Sequence, residues 1–332
     1  MQELNQEHTS SRRNKRICYI ILAVMTTYIV IMAIIGFFRG RDLEVLPLED
    51  LSQNNSVRLL QSEEVVGPSL VLNVTNEIMN GDDVGLYEYP WFVQLEDSRG
   101  YCSASLIAPE YVLTAAHCVD QQIKRGNPKS IDPATLTLKV GFIGKSKAFK
   151  EKFSASEIII YTKWNGDIHK GGDIAIIKIN GKSKVTPATV YPKFMLRSGL
   201  YNWKKSDLKI IGSGRNEVGQ IPDTVQDLDV KVISRWTHYR KYGWPSYSKN
   251  VVAVVGEKKN SGACSGDSGG PLFDPRANAI HGVTSYGKAT KDGSCSTKHP
   301  SYYTMTEKYI DFIIDYVCKS ASSKDLTVCL SP

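Results

Sequence analysis

From about residue 80 onward the chain alternates short apolar runs with clusters of polar, turn-forming residues. WFVQLE (91–96), SLIAPEYVLTAA (105–116), TLTLKVGFIG (135–144), SEIIIY (156–161) and IAIIKI (174–179) come first. LKIIGSG (208–214), LDVKVIS (228–234), NVVAVVG (250–256) and AIHGVTSYG (279–287) follow. Such runs, rich in β-branched residues and bounded by Gly, Asn, Asp and Ser, predict strands, and many of them at this spacing predict an all-β barrel or sandwich. One segment has another period. In TEKYIDFIIDYVCKS, Ile310, Ile313, Ile314 and Val317 fall at i, i+3, i+4 and i+7, which predicts a late amphipathic helix. SRWTHYRKYGWPSY (234–247), aromatic and basic, reads as an exposed loop with a few anchoring aromatics.

The N-terminal quarter is different. ICYIILAVMTTYIVIMAIIGFF (17–38) carries no charge. As a helix it would reach about 33 Å, enough for a hydrocarbon core of roughly 30 Å. RRNKR precedes it and RGRD follows, a bias that puts residues 1–16 in the cytoplasm and the rest outside. The expectation is a single-pass type II signal anchor in the plasma membrane. The rival, a cleaved signal peptide on a secreted protein, has a shorter apolar region and a small-residue cleavage site. Residues 39–77 are polar and irregular, a stem or propeptide. A β-rich body over 78–320 and a tail over 321–332 complete the division.

Composition changes this picture little. The 332 residues are 42% hydrophobic and 23% charged, ordinary for a globular protein. The net charge of +7 is spread along the chain without a Lys/Arg block in the body, which argues against nucleic acid as a partner. Cysteines add more. Cys18 lies at the membrane edge; Cys102, Cys118, Cys264, Cys295, Cys318 and Cys329 form an even set on the predicted outer side, where disulfides persist. Two N-x-[ST] sequons, at Asn54 and Asn73, fall on that same side.

The candidate chemistry centres on GACSGDSGGPL (262–272). Gly, Ser and Asp form turns, and a turn is the bland reading. The sharper one is a serine nucleophile on a loop whose small residues let backbone approach a substrate. Such a serine needs a base and an orienting acid. TAAHC supplies His117 after a predicted strand, and GGDIAIIKI places Asp173 at the start of another.

With these words in the order His117, Asp173, Ser268, the chain resembles the chymotrypsin-like (trypsin family) serine proteases over roughly residues 78–317. The resemblance implies two six-stranded antiparallel β-barrels with a C-terminal helix, and a serine endopeptidase that needs no cofactor or metal. It assigns Ser268 as nucleophile, His117 as general base and acid, and Asp173 as the group that orients the imidazole. The amides of Gly266 and Ser268 would form the oxyanion hole. Asp267 would pair with a new ammonium at Ile78, freed by cutting a zymogen before Ile-Met-Asn-Gly. Glu77 departs from the Lys or Arg usual before the cut, so a trypsin-like activator does not fit; a Glu-cutting activator, exopeptidase trimming and an unprocessed chain stay open. Cys102–Cys118 would brace the His117 loop and Cys264–Cys295 the specificity pocket, leaving Cys318 and Cys329 to fasten the tail, with a bridge to another chain as the lesser alternative. Ala253 and Asp274 stand where other half-cystines are expected. Gly262 would form the pocket floor, with Ser285, Gly287 and Ser301 around it. Without an acid at Gly262 the pocket is expected to prefer large apolar or aromatic residues, with an acidic residue favoured by Lys298 or His299 as the lesser alternative. The implied partners are a protein or peptide substrate, an activating protease, protein inhibitors, and the membrane through 17–38. The competing reading is an inert protease-like binding protein or receptor ectodomain.

Overall fold

The computed structural model describes the chain from Ile78 onward, apart from residue 86 and the segments 122–125, 143–147, 191–201, 215–224, 244–246, 291–294, 320–325, 327–328 and 330–332. The expected cytoplasmic tail, membrane span, stem and both sequons lie outside the described residues. Among the described residues no helix is long and apolar enough to cross a membrane.

A two-residue strand, β1 (Asp82–Asp83), leads into the first barrel. That barrel comprises β2 (Phe92–Asp97), β3 (Gly100–Ala108), β4 (Tyr111–Thr114), β5 (Thr137–Val140), β6 (Glu151–Ile160) and β7 (Ala175–Ile179). Every pairing is antiparallel, in the order β2-β3-β4-β7-β6-β5, and β2 pairs with β5 to close the ring. The second barrel uses β8 (Leu208–Gly212), β9 (Gln226–Ile233), β10 (Val251–Gly256), β11 (Pro271–Asp274), β12 (Ala279–Tyr286) and β13 (Ser301–Met305). Its order is β9-β10-β13-β12-β11-β8, closed by β8 on β9, with β1 added along β9.

The period-two pattern fills the second core. Leu208 and Ile210, Leu228 and Val230, Val252 and Val254, and Tyr303 and Met305 each occupy alternate positions of one strand, and all turn inward around Ile78 and Leu272. Among the described residues three short α-helices complete the fold: α1 (Ala116–Val119), α2 (Arg235–Tyr242) and α3 (Ile310–Val317). α3 buries Ile310, Phe312, Ile313 and Val317 against the core of the first barrel, as its stripe predicts; Ile314 is half-buried at the margin. The segment read as a loop at 234–247 is in part a helix. The Ser234 hydroxyl accepts from the Thr237 amide at 3.0 Å, and Gly243, at φ 89°, ends the helix. β11 and β13 are additions to the predicted strands. Asp274, at a position expected to hold a half-cystine, instead accepts the Arg276 and Ala277 amides and caps the turn after β11.

Candidate active site

Asp173 heads β7 and is wholly buried, so its carboxylate needs donors. It has three. Oδ1 accepts the His117 backbone amide at 2.9 Å; Oδ2 accepts His117 Nδ1 at 2.8 Å and the Ser285 hydroxyl at 2.5 Å. The backbone bond fixes α1, which carries His117, while the ring bond fixes the rotation of the imidazole and puts the proton on Nδ1. Nε2 is left as the basic nitrogen. The ring is one-fifth exposed. Burial opposes its charged form, but the charge and hydrogen bond of Asp173 outweigh this and raise the His117 pKa above 6.5. Ser285, read from the sequence as a pocket residue, spends its hydroxyl on Asp173. Arg99, which the motifs did not single out, donates to the carbonyls of Cys118 and Asp120 at 2.7 Å each and braces the chain after His117.

Ser268 sits on the loop between β10 and β11, stitched from both sides. Its carbonyl accepts the Ser103 amide of β3 at 2.8 Å, and the next amide, Gly269, donates to Thr284 of β12 at 2.8 Å. Two glycines are required here. Gly266 has φ +103°, and a Cβ on it would lie 2.7 Å from the Gly214 Cα; at Gly269, φ +81°, a Cβ would fall 2.2 Å from Thr114 Oγ1. Among the described residues, neither the Gly266 nor the Ser268 amide donates to a protein acceptor. His117, Gly266 and Ser268 line one cleft of about 340 Å³, walled by the Cys102–Cys118 disulfide. Those two sulfurs lie close to the His117 ring, but as a disulfide they offer no thiolate to a metal.

Behind this loop, Asp267 is buried with its carboxylate on the amides of Gly214 and Cys264, at 2.9 and 2.7 Å. Burial raises its pKa, those two bonds hold it down, and the result is about 7. Ile78 is fully buried in the second core. Its amide donates to Gln226 Oε1 at 3.0 Å, and Met79 pairs with Gly262 through bonds of 3.0 and 3.2 Å. The segment after residue 77 is therefore tied to the loop that carries Gly262. Gln226 was not read from the sequence, because only the fold brings β9 against Ile78.

Beside Ser268 lies a smaller pocket of about 140 Å³, between the 263–265 backbone, Tyr286, Gly287 and Cys295. The Cys264–Cys295 disulfide joins its two walls. Gly262 and Ser301 line a separate cavity of about 450 Å³. The third expected disulfide, Cys318–Cys329, is also present and packs the tail onto the first core.

Comparison with known proteins agrees with this geometry. The Trypsin family model matches residues 78–313. Human chymotrypsin-like elastase family member 3A is 30% identical over 260 residues, covering 72% of this chain and 88% of that protein. Human chymotrypsin-like elastase family member 3B is 28% identical over 258 residues, covering 72% and 88%. Bovine proproteinase E is 28% identical over 266 residues, covering 74% of this chain and 97% of its own length.

Proposed function

The chain belongs to the trypsin family and is a serine endopeptidase, and from that premise we propose that Ser268, His117 and Asp173 are its catalytic residues. Ser268 attacks the scissile carbonyl while His117 Nε2 takes its proton. The same nitrogen returns the proton to the leaving amine, and water then hydrolyses the acyl-enzyme. Asp173 holds the tautomer and stabilises the imidazolium. The amides of Gly266 and Ser268 receive the oxyanion. The observation that carries this reading is the buried Asp173 carboxylate on His117 Nδ1, with His117 lining the same cleft as Ser268.

The enzyme is made as a zymogen. Cutting before Ile78 turns an amide nitrogen into an ammonium, and burial of that charge is favourable only beside an anion. The new ammonium pairs with Asp267, which is buried behind the Ser268 loop, and keeps Gln226, which accepts the Ile78 amide, as a second acceptor. The small pocket has no carboxylate among its described lining residues, so Lys and Arg side chains would find no counter-charge there. A large apolar or aromatic residue satisfies that condition, and so does an anionic one. Residues 17–38 anchor the zymogen in the plasma membrane with the catalytic domain outside, its stem glycosylated at Asn54 and Asn73. All three disulfides close within 102–329 and no cysteine lies between 39 and 77, so activation releases the domain.

The test is peptide hydrolysis by the full chain processed before Ile78, beside the same chain with Ser268→Ala. The proposal expects turnover in the first and none in the second. Equal turnover in both, or none in either, would overturn it in favour of contamination or of an inert binding protein.

A further inference from the structure

Resting on that catalytic reading, we propose that the specificity pocket takes a glutamate side chain, and that the enzyme cuts its own zymogen between Glu77 and Ile78. The starting observation is the cavity behind the pocket floor. Gly262 has no side chain, and a Cβ built on it would meet only Ser301 Oγ, 3.8 Å away. The same hydroxyl is 3.9 Å from a Cβ built on Gly287, a wall residue of the small pocket. Ser301 Oγ therefore stands where the small pocket and the larger cavity meet, with only a small side chain between them.

The charge in that cavity is one-sided. Its charged lining residues are Lys241, Lys258, Lys259, Lys298 and Glu257, with His299 beside them. Glu257 is paired with Lys231 at 3.1 Å, and Lys258 with Asp82. Lys241, Lys259 and Lys298 have no carboxylate partner among the described residues. At the mouth, Lys288 lies 3.2 Å from His299 Nε2, whose Nδ1 meets Ser296 Oγ at 2.9 Å. Three exposed ammonium groups without a carboxylate partner around an open floor form a positive field, weakened by solvent, which attracts an anion and repels Lys and Arg. A soluble anion would also feel that field. The glycine floor and the Ser301 hydroxyl favour an anion delivered through the pocket, on the side chain before the scissile bond.

The chain itself carries such a residue at the required bond. Glu77 immediately precedes Ile78. Ser268 Oγ of one molecule attacks the Glu77 carbonyl carbon of another, and the Glu77–Ile78 bond breaks as His117 hands its proton to the Ile78 nitrogen. Water then cleaves the ester, leaving a carboxylate on Glu77 and regenerating Ser268. One water is consumed and no other reactant is needed.

The test separates this inference from the catalytic reading. In the full chain, residues 73–77 are replaced by Asp-Asp-Asp-Asp-Lys, so that enteropeptidase frees Ile78 whatever the pocket prefers. Active sites are counted with a fluorophosphonate probe. Peptides differing only in Glu, Phe, Ala or Lys before the cut are then compared, and the full chain with Ser268→Ala is added as a substrate. The inference expects kcat/KM for Glu at least 100-fold above Phe, and a new N-terminus at Ile78 in the Ser268→Ala chain. Lys298→Glu, on an exposed position, lowers the Glu/Phe ratio at least tenfold. Full labelling with Phe or Ala preferred, or with the Ser268→Ala chain uncut at Glu77, overturns the inference and leaves the catalytic reading standing. No labelling overturns both.

Discussion

Asp267 offers the sharpest quantitative consequence of zymogen architecture. In the uncut chain no ammonium exists at Ile78, and the buried carboxyl is pushed from the ordinary 3.8 to about 7, by burial first and against the two amide bonds it accepts. Because the folded pKa lies above the unfolded one, the native state holds its proton longer. The carboxyl's contribution is present in full below about pH 4 and is lost as pH rises through about 7. The distance from 3.8 to about 7 corresponds to roughly 4 kcal/mol. The perturbation is Asp267→Asn in an inert Ser268→Ala background, which keeps the shape and removes the titration. Loss of one acceptor adds an offset of about 1–3 kcal/mol that does not depend on pH. Guanidinium unfolding between pH 4 and pH 8, followed by tryptophan fluorescence, reads the difference between the two chains. The aspartate chain should lose roughly 4 kcal/mol relative to the asparagine chain across that window. After cutting before Ile78 the trend should reverse, because the new ammonium favours the ionised form. Parallel profiles in the uncut chains would refute the buried-carboxyl argument.

Three further outcomes follow from the geometry. With His117 held above its ordinary pKa by Asp173, kcat/KM of the processed enzyme should rise with pH through a midpoint above 6.5, since only the neutral ring accepts the Ser268 proton; a pH–rate profile with an acid limb below 6 would contradict this. Asp173→Asn should cut kcat by about 10⁴, the loss seen for the matching acid in this family, with peptide binding little changed in KM. Gly266→Ala forces a side chain at φ +103° to within 2.7 Å of Gly214, and should lower kcat about 10²–10³-fold through the displaced oxyanion amide while far-ultraviolet circular dichroism is unchanged.

Much of this molecule was readable from residue pattern and motif, and the exceptions have physical reasons. The inward residues of β8, β9 and β10 follow a strict alternation, and each of those strands was anticipated near its observed bounds. β11 was not, because Pro271 opens it and four residues give too short a period to detect. α2 was missed because its aromatic and basic residues have no apolar face; the signals were the Ser234 cap and the Gly243 stop. At the site, His117, Asp173 and Ser268, which the structure brings together or into one cleft, stood out because each lies in a distinctive local word. Ser285, Arg99 and Gln226 did not. They act through contacts 112, 19 and 148 residues away in sequence, which only barrel closure creates. The basic cavity was hidden for the same reason, since Lys241 comes from α2 and Lys298 from the loop before β13.

The most direct measurement is the residue that a fluorophosphonate modifies in the chain processed before Ile78. A single adduct on Ser268, located by peptide mass spectrometry and lost in His117→Ala, is the predicted result. No adduct, or an adduct on some other serine, would contradict the account at its root.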